Sequence, residues 1–514
     1  MPSDCRVSPL YSSFRDAAER RPGKQALVVG DTRYTYAQVL EAVDALAQGL
    51  SLAGIRQGEH VGVLLPNCAE FVVLLLAGAR IGVVIVPQSM GVSPEALVST
   101  FRTAGVRHLV AWSGATGNLG DLNCPADCVR IVVGGGHPGW RAWQSVLEEG
   151  RARPAPAPLL PGELPYLMGL TSGSTGKPKP IVLSQQTKLL RAAAAAALYG
   201  VLDSDVILAA TPLYHSLAQR LVLLPLTTGG TGVVMEHFTP ATWIDAVHEH
   251  AVTFSIAVSS QLKQILKVVI DDHVTLPSLR CLVSSSALLD DETKARLLAH
   301  LHCEFHECYG ASEIAIATNL SPQAAARKLG SVGQAIPDAD VIILGEDGQP
   351  APPEMPGEIV CRTSMLFSGY HAQPDTTNAA MWGDYFRTGD LGRMDDEGFL
   401  YFLGRIKDII ICGGVNIYPK DIEDVVSSHP AVKECAAIPL LNEQLGEVVG
   451  VVVAFHDPAA SPEFRDLQRL CMQRLGDFQQ PRRFFVVPAL PRNALGKLDK
   501  PALRQAYSTD LQKG

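Results

Sequence analysis

The sequence predicts an α/β protein. A large N-terminal domain of parallel-sheet α/β subdomains plus a β-rich module is followed by a small, mobile α+β C-terminal domain. Three observations predict it. Short β-rich runs alternate with helical spacings from Val39 to Val283. Around Gly330 the pattern turns to short strands separated by Pro/Gly turns, and after Gly404 it changes again. At 514 residues the chain is also too long for one hydrophobic core.

In chain order, Val39, Leu40, Val43, Leu46, Ala47 and Leu50 recur at helical spacing. Val61–Leu65 is a short β-rich run stopped by Pro66-Asn67, a helix-like stretch follows from Ala69 to Ala79, and Val83–Val86 is the next strand. Strand, helix, strand with a short apolar second run is a βαβ unit, which favours a parallel sheet covered on both faces. His108–Trp112 and Arg130–Val133 read as further strands, and the proline-rich stretch Arg151–Glu163 as a linker or surface crossing. The alternation resumes with Val206–Ala210, Thr231–Met235, Thr253–Ala257 and Arg280–Val283. Val341–Leu344 and Gly357–Cys361 belong to the β-rich module. Past Arg405, a helix is expected over Asp421–Ser428, a strand over Val448–Phe455 and a helix over Pro462–Leu475. The expected division is therefore 1–403, a joint at 404–408, and 409–514.

Composition narrows the function. A net charge of −9, with no cluster of Lys/Arg interleaved with aromatics, excludes a nucleic-acid partner. The 11 cysteines form no CxxC pair and fit free thiols in a reducing compartment. The first ten residues contain Asp4 and Arg6 and lack the apolar stretch of a signal peptide, and no apolar run is long enough to span a bilayer. A cytoplasmic enzyme is expected; nothing in the sequence indicates an oligomeric state.

The densest chemistry lies in Leu170–Lys179, LTSGSTGKPK. Glycines let backbone N–H groups turn toward a phosphate, hydroxyls add donors and lysine adds charge. A Walker loop is excluded, because Thr171 stands where its first glycine belongs and Pro178 follows the lysine. A serine-hydrolase elbow fails too, since Gly173-Ser-Thr-Gly176 is one residue short. The bland alternative is a solvated Ser/Gly turn before a strand.

This loop resembles the pyrophosphate-binding loop of the adenylate-forming (acyl-activating, AMP-binding) superfamily, which includes acyl-CoA synthetases, luciferases and nonribosomal adenylation domains. Gly58–Pro87 is similar to the family's N-terminal sheet segment. Pro212-Leu-Tyr-His215, Tyr309-Gly-Ala-Ser-Glu313, Arg387-Thr-Gly-Asp390, Gly404-Arg-Ile-Lys-Asp408, Gly413-Gly-Val-Asn-Ile-Tyr-Pro419 and Pro491-Arg-Asn-Ala-Leu-Gly-Lys497 follow in family order. The pattern is most similar to stand-alone acyl-CoA synthetases and aryl-CoA ligases.

The resemblance implies an enzyme that activates a carboxylic acid with ATP as an acyl-adenylate, releases pyrophosphate, and passes the acyl group to coenzyme A. An amine or a carrier-protein thiol are the alternative acceptors. Thr171, Ser172, Gly173, Ser174, Thr175, Gly176 and Lys177 would hold the departing phosphates. Glu313 would ligate Mg²⁺, a hard cation that takes carboxylate oxygens, with Ser312 beside it. Tyr309 would stack on adenine and Ser286 would lie beside it. Asp390 and Arg405 would contact the ribose. Lys497 would bridge the attacking carboxylate and the α-phosphate, while His215 would line the acyl or thiol channel. Lys407 would mark the joint about which the small domain rotates.

Several places depart from the family pattern. Pro180 stands where glycine is usual, Ser284-Ser-Ser-Ala287 replaces a glycine-rich stretch, and Ser312 replaces threonine. Glu307 stands where an amide or aspartate often meets the adenine amino group. His215 replaces the aspartate of amino-acid adenylation domains, which argues against an α-amino acid as substrate. The candidate acyl pocket, at 258–264, 284–287 and 311–317, is mostly small and apolar with few cations. It points to an aryl, alicyclic or medium acyl acid in preference to a dicarboxylate.

Overall fold

The computed structural model describes residues 6–119, 125–171, 179–457, 464–492 and 498–507. Packing divides these into two compact units. One runs to Val341 and includes Cys361–Phe386; the other comprises Ile342–Val360 and the chain from Arg387 on.

The first unit holds two large sheets. The seven-stranded sheet has the order Lys179–Ser184, Pro165–Thr171, Val84–Pro87, His60–Leu64, His108–Trp112, Arg130–Val133, Arg141–Ala142. All its pairings are parallel except the first, a hairpin. Its βαβ crossover is the helix Ala69–Ile81, in which every residue from Phe71 to Ile81 is buried. A strand–helix–strand unit buried on all sides reads as near-continuous apolar sequence, as Val61–Val86 does.

The nine-stranded sheet has the order Gln334–Ala335, Ala315–Leu320, Glu304–Ala311, Cys281–Ser285, Phe254–Val258, Val206–Ala209, Thr231–Val234, Gln25–Val29, Thr32–Thr35. Its interior is parallel and both its ends turn antiparallel. The hairpin Gln25–Thr35 runs into the helix Tyr36–Ala53, where Thr35 and Gln38 form a reciprocal capping box. The first two residues of the expected linker Arg151–Glu163 lie in a helix, Trp143–Ala152, and Leu159–Leu160 pairs with Arg6–Val7.

The second unit holds most of a five-stranded sheet in which Tyr385–Met394 pairs with Leu400–Arg405. It also holds a second five-stranded sheet, in the order Val415–Ile417, Ile410–Cys412, Gly446–Phe455, Val432–Asn442, with Arg483–Val486 on Gly446–Phe455. The Gly413-Gly414 turn has φ of 57° and 84°. Cys412 pairs with Val415 across it, so this is a two-residue hairpin that needs left-handed backbone at both central positions. Ile422 and Val426 of the helix Pro419–Ser427 and Leu467 and Cys471 of Phe464–Arg474 close over the sheet's apolar face.

The cysteines of the described residues are free. Burial pushes the thiols of Cys281 and Cys303 up to about 12, as expected of inert packing residues. No helix among the described residues is long and apolar enough to cross a membrane.

Candidate active site

In the first unit, Pro165–Thr171 and Lys179–Ser184, the strands on either side of the phosphate-type sequence, pair antiparallel as a hairpin. Thr171 and Lys179 are direct partners across its mouth, and Leu170 pairs with Pro180. Ser172, Gly173, Ser174, Thr175, Gly176 and Lys177 lie outside the described residues, as does Lys497. Pro180 lies in the outermost strand of its sheet, where a missing ladder N–H is tolerated. Its carbonyl accepts the His371 N–H at 2.9 Å, and Val182 exchanges backbone hydrogen bonds with Ser368 and Gly369.

That exchange brings Tyr370 to the loop. The Lys179 ammonium lies 5.1 Å from the centre of the Tyr370 ring, and the Tyr370 hydroxyl donates to Glu313 Oε1 at 3.1 Å. Burial first, and then the Glu313 charge, raise the Tyr370 pKa, so the phenol stays a donor. Sequence reasoning missed Tyr370. Glu313 itself is half-buried, and its backbone is fixed on both sides. Its carbonyl accepts the Phe367 N–H at 2.7 Å and the Arg191 guanidinium at 2.9 Å, and Arg191 also reaches the carbonyls of Ser312 and Met365. Arg191 is thus a buried latch on the turn that carries Glu313, and was also missed.

Tyr309 and Glu313 flank a tight hairpin between Glu304–Ala311 and Ala315–Leu320, with a register shift at Tyr309/Gly310. Tyr309 is buried and Ser312 exposed. A Cβ on Gly310 would lie 1.7 Å from the Ala315 carbonyl oxygen, so only glycine permits this crossing. Glu307, two residues earlier, is engaged elsewhere. Its carboxylate meets Lys294 at 2.6 Å and accepts the Leu289 N–H at 3.2 Å, and both charged side chains are almost fully buried.

Ser286 follows the strand Cys281–Ser285 and is exposed, with φ at +74°. This is the left-handed region that glycine enters freely and other residues enter at a cost of about 1–2 kcal/mol. The serine therefore occupies a glycine conformation within the stretch Ser284–Ala287. Ser286→Gly is expected to stabilise the protein by about 1 kcal/mol, read as a higher midpoint in urea; an unchanged or lower midpoint would contradict the assigned strain. His215 is the N-terminal cap residue of the helix Ser216–Thr228, and its ring lies 4.4 Å from that of Tyr214. Asn67 secures this turn by accepting the Leu213 N–H at 2.7 Å while donating to the Thr211 and Met235 carbonyls.

In the second unit, Asp390 is 2% exposed and stands opposite Arg405 in the register. Arg405 Nε is 2.7 Å from Asp390 Oδ1. Glu358 holds the preceding turn, accepting from the Arg387 guanidinium at 2.6 Å and the Gly389 N–H at 3.0 Å. Ile406–Asp408 forms a short 3₁₀ turn, and Arg504 clasps it through the Lys407 carbonyl at 2.9 Å and the Asp408 carboxylate at 3.0 Å. Arg492 and Leu498 form an isolated antiparallel backbone bridge, and Arg492 pairs with Glu434 at 2.6 Å. Glu358, Glu434 and Arg504 carry no local sequence signal, since each acts on a residue distant in the chain.

Residues 14–371 match the AMP-binding enzyme family and residues 421–497 match the AMP-binding enzyme C-terminal domain. The chain belongs to the AMP-binding enzyme family. A long-chain-fatty-acid–CoA ligase, FadD13 of Mycobacterium tuberculosis, is 30% identical over 505 residues, covering 97% of this chain and 99% of its own. The o-succinylbenzoate CoA synthetase MenE of Bacillus subtilis, solved with an acyl-adenylate intermediate, superposes with a TM-score of 0.86 at 26% identity, covering 97% of this chain and 98% of that one. The amide bond synthetase McbA of Marinactinospora thermotolerans gives 0.85 at 27% identity, over 97% of this chain and 100% of that one. Like other AMP-binding enzymes, this one combines parallel-sheet α/β architecture with a separate C-terminal domain.

Proposed function

We propose that this AMP-binding enzyme activates a carboxylic acid with ATP and transfers the acyl group to coenzyme A. The observation that carries the reading is the pairing of Thr171 with Lys179 across the loop mouth, with Tyr370 linking Lys179 to Glu313. In the first half-reaction a carboxylate oxygen attacks the α-phosphorus of ATP, and the bond to the bridging oxygen of pyrophosphate breaks. Two anions meet, so donors and cations must stand where charge develops. Loop residues Thr171, Ser172, Gly173, Ser174, Thr175, Gly176 and Lys177 hold the leaving pyrophosphate. Lys497 orients the incoming carboxylate. Tyr309 and Ser286 contact the adenine side of the nucleotide, and Asp390 with Arg405 its ribose. In the second half-reaction a thiol adds to the acyl carbonyl and AMP leaves, with His215 lining the channel.

Mg²⁺ fits Glu313. The carboxylate is half-open, and its hydrogen-bond partner among the described residues is the neutral Tyr370 hydroxyl, which leaves lone pairs for a hard cation. The ion would neutralise phosphate charge there. The division 1–403 and 409–514, with 404–408 as the joint, is proposed as the division of motion, and the location as the cytoplasm.

A second reading rests on the likeness to McbA: an amine in place of a thiol as acceptor. Both are tested by pyrophosphate release across a panel of carboxylic acids, followed by product analysis with coenzyme A, a carrier protein or amines supplied. Acid-dependent release with acyl-CoA formation is expected. Amide as the sole product would decide for the second reading, and no acid-dependent release would overturn both.

A further inference from the structure

Two helices of the first unit, Gln185–Leu198 and Ser216–Thr228, carry buried cations that the scheme above does not use. Lys188, Arg191 and Arg220 are 3%, 2% and 9% exposed. Among the described residues, no carboxylate lies within ion-pair distance of any of the three. Arg191 spends its guanidinium on backbone carbonyls. Lys188 donates to the Gln219 side-chain oxygen at 3.2 Å, and the Gln219 amide nitrogen is committed to the Leu213 carbonyl at 3.0 Å.

Arg220 donates no hydrogen bond to any described residue, although it is nine-tenths buried. The Ser284 and Thr211 hydroxyls are likewise buried without a hydrogen-bond partner among the described residues. The titratable groups nearest Arg220 are the Cys308 thiol and the Tyr199 phenol, both kept neutral by burial, and Cys308 lies beside the Ser285 hydroxyl. Cys308 immediately precedes Tyr309, and Tyr199 packs against His306 at 5.2 Å and Phe254 at 5.6 Å, so these neighbours put the guanidinium against the sheet beside Glu304–Ala311. Its neighbour Gln219 ties it to the turn that precedes His215.

A buried charge without a counter-ion is unfavourable unless something anionic completes it. Burial and mutual repulsion push the Lys188 ammonium well below its ordinary pKa, and they push Arg191 down to about 9. We propose that Arg220, with Lys188 behind it, receives a second oxyanion of the acid substrate, so that the activated compound carries a carboxylate or sulfonate remote from the carboxylate that is adenylated. This rests on the acid-activating reading above. It also reverses the preference drawn from the sequence, because the three stretches used there omit both cation-bearing helices. A planar guanidinium suits such a group, since it can hold both oxygens at once.

The test is acid-dependent pyrophosphate release from matched pairs: aliphatic and aromatic monoacids, each beside the same skeleton with a terminal carboxylate or sulfonate. The unaltered enzyme is expected to favour the doubly charged member of at least one pair by about 100-fold in kcat/KM, as a site built for a polar group rejects an analogue lacking it. Arg220→Met should erase that ratio while sparing the monoacid, and Arg220→Lys should restore part of it. Equal losses on both members, or a raised KM for ATP with the ratio unchanged, would assign Arg220 to packing or to the nucleotide and overturn the proposal. If Arg220→Met does not fold, the ratio of the unaltered enzyme decides. Release that never favours a doubly charged acid defeats this inference alone, whereas no release from any acid defeats the underlying function as well.

Discussion

Lys497→Ala is expected to lower acid-dependent pyrophosphate release by a factor on the order of 10³, while largely preserving acyl transfer from a supplied acyl-adenylate to coenzyme A. Two anions must approach in the first half-reaction, and removing one positioned donor from such a site costs about 10²–10³ in rate. In the second half-reaction the acid carries no free carboxylate, so the same ammonium has little to stabilise. Lys497 lies outside the described residues, and the residues on either side of that stretch are held in place. Arg492 bridges to Leu498 and is held by Glu434, while Lys500 pairs with Glu423 at 2.6 Å. Removing the lysine amine should therefore leave the fold intact, and parallel loss of both half-reactions would refute this division of labour.

Gly310→Ala is expected to cost about 3 kcal/mol of stability and about 100-fold in adenylation rate. The added methyl would lie 1.7 Å from the Ala315 carbonyl oxygen and 3.2 Å from the Ile316 Cα. Backbone cannot step aside as a flexible side chain would, so the hairpin must open. Tyr309 precedes the clash and Glu313 follows it, and Arg191 pins the carbonyls of Ser312 and Glu313 from the other side. The displacement is thus directed into the site. Denaturant unfolding and pyrophosphate release measured on the same preparation check both effects; an alanine variant with unaltered midpoint and rate would show that the crossing is looser than described.

The parallel core was legible because its residues obey a local rule. His108–Trp112 and Arg130–Val133 are strands at the bounds expected from their apolar runs, and the helix expected from Ala69 extends to Ile81. Edges were harder. Thr32–Thr35 is polar and half-exposed, so its four residues carry no strand signature apart from their neighbour Gln25–Val29. At the site, motif residues could be named from resemblance, but their supports could not. Tyr370 acts on Glu313 across 57 residues and Arg191 acts on Ser312 across 121. Such contacts leave no periodicity in the chain. Lys188 and Arg220 were invisible for a related reason: each is an ordinary cation in its own helix, and only packing brings them together without a counter-ion.

The clasp of Arg504 on Asp408 bears on the order in which this protein can mature. The two residues are 96 positions apart, so the turn at 406–408 leaves the ribosome long before its brace does. The first unit's sheets can assemble during synthesis, since domains generally fold as units from the N-terminal side. The segment beside Arg405 stays unbraced until the helix Lys500–Tyr507 has emerged. A nascent chain halted before that helix would therefore hold a folded scaffold with an unsecured joint, and the Asp408 clasp would be among the last contacts to form.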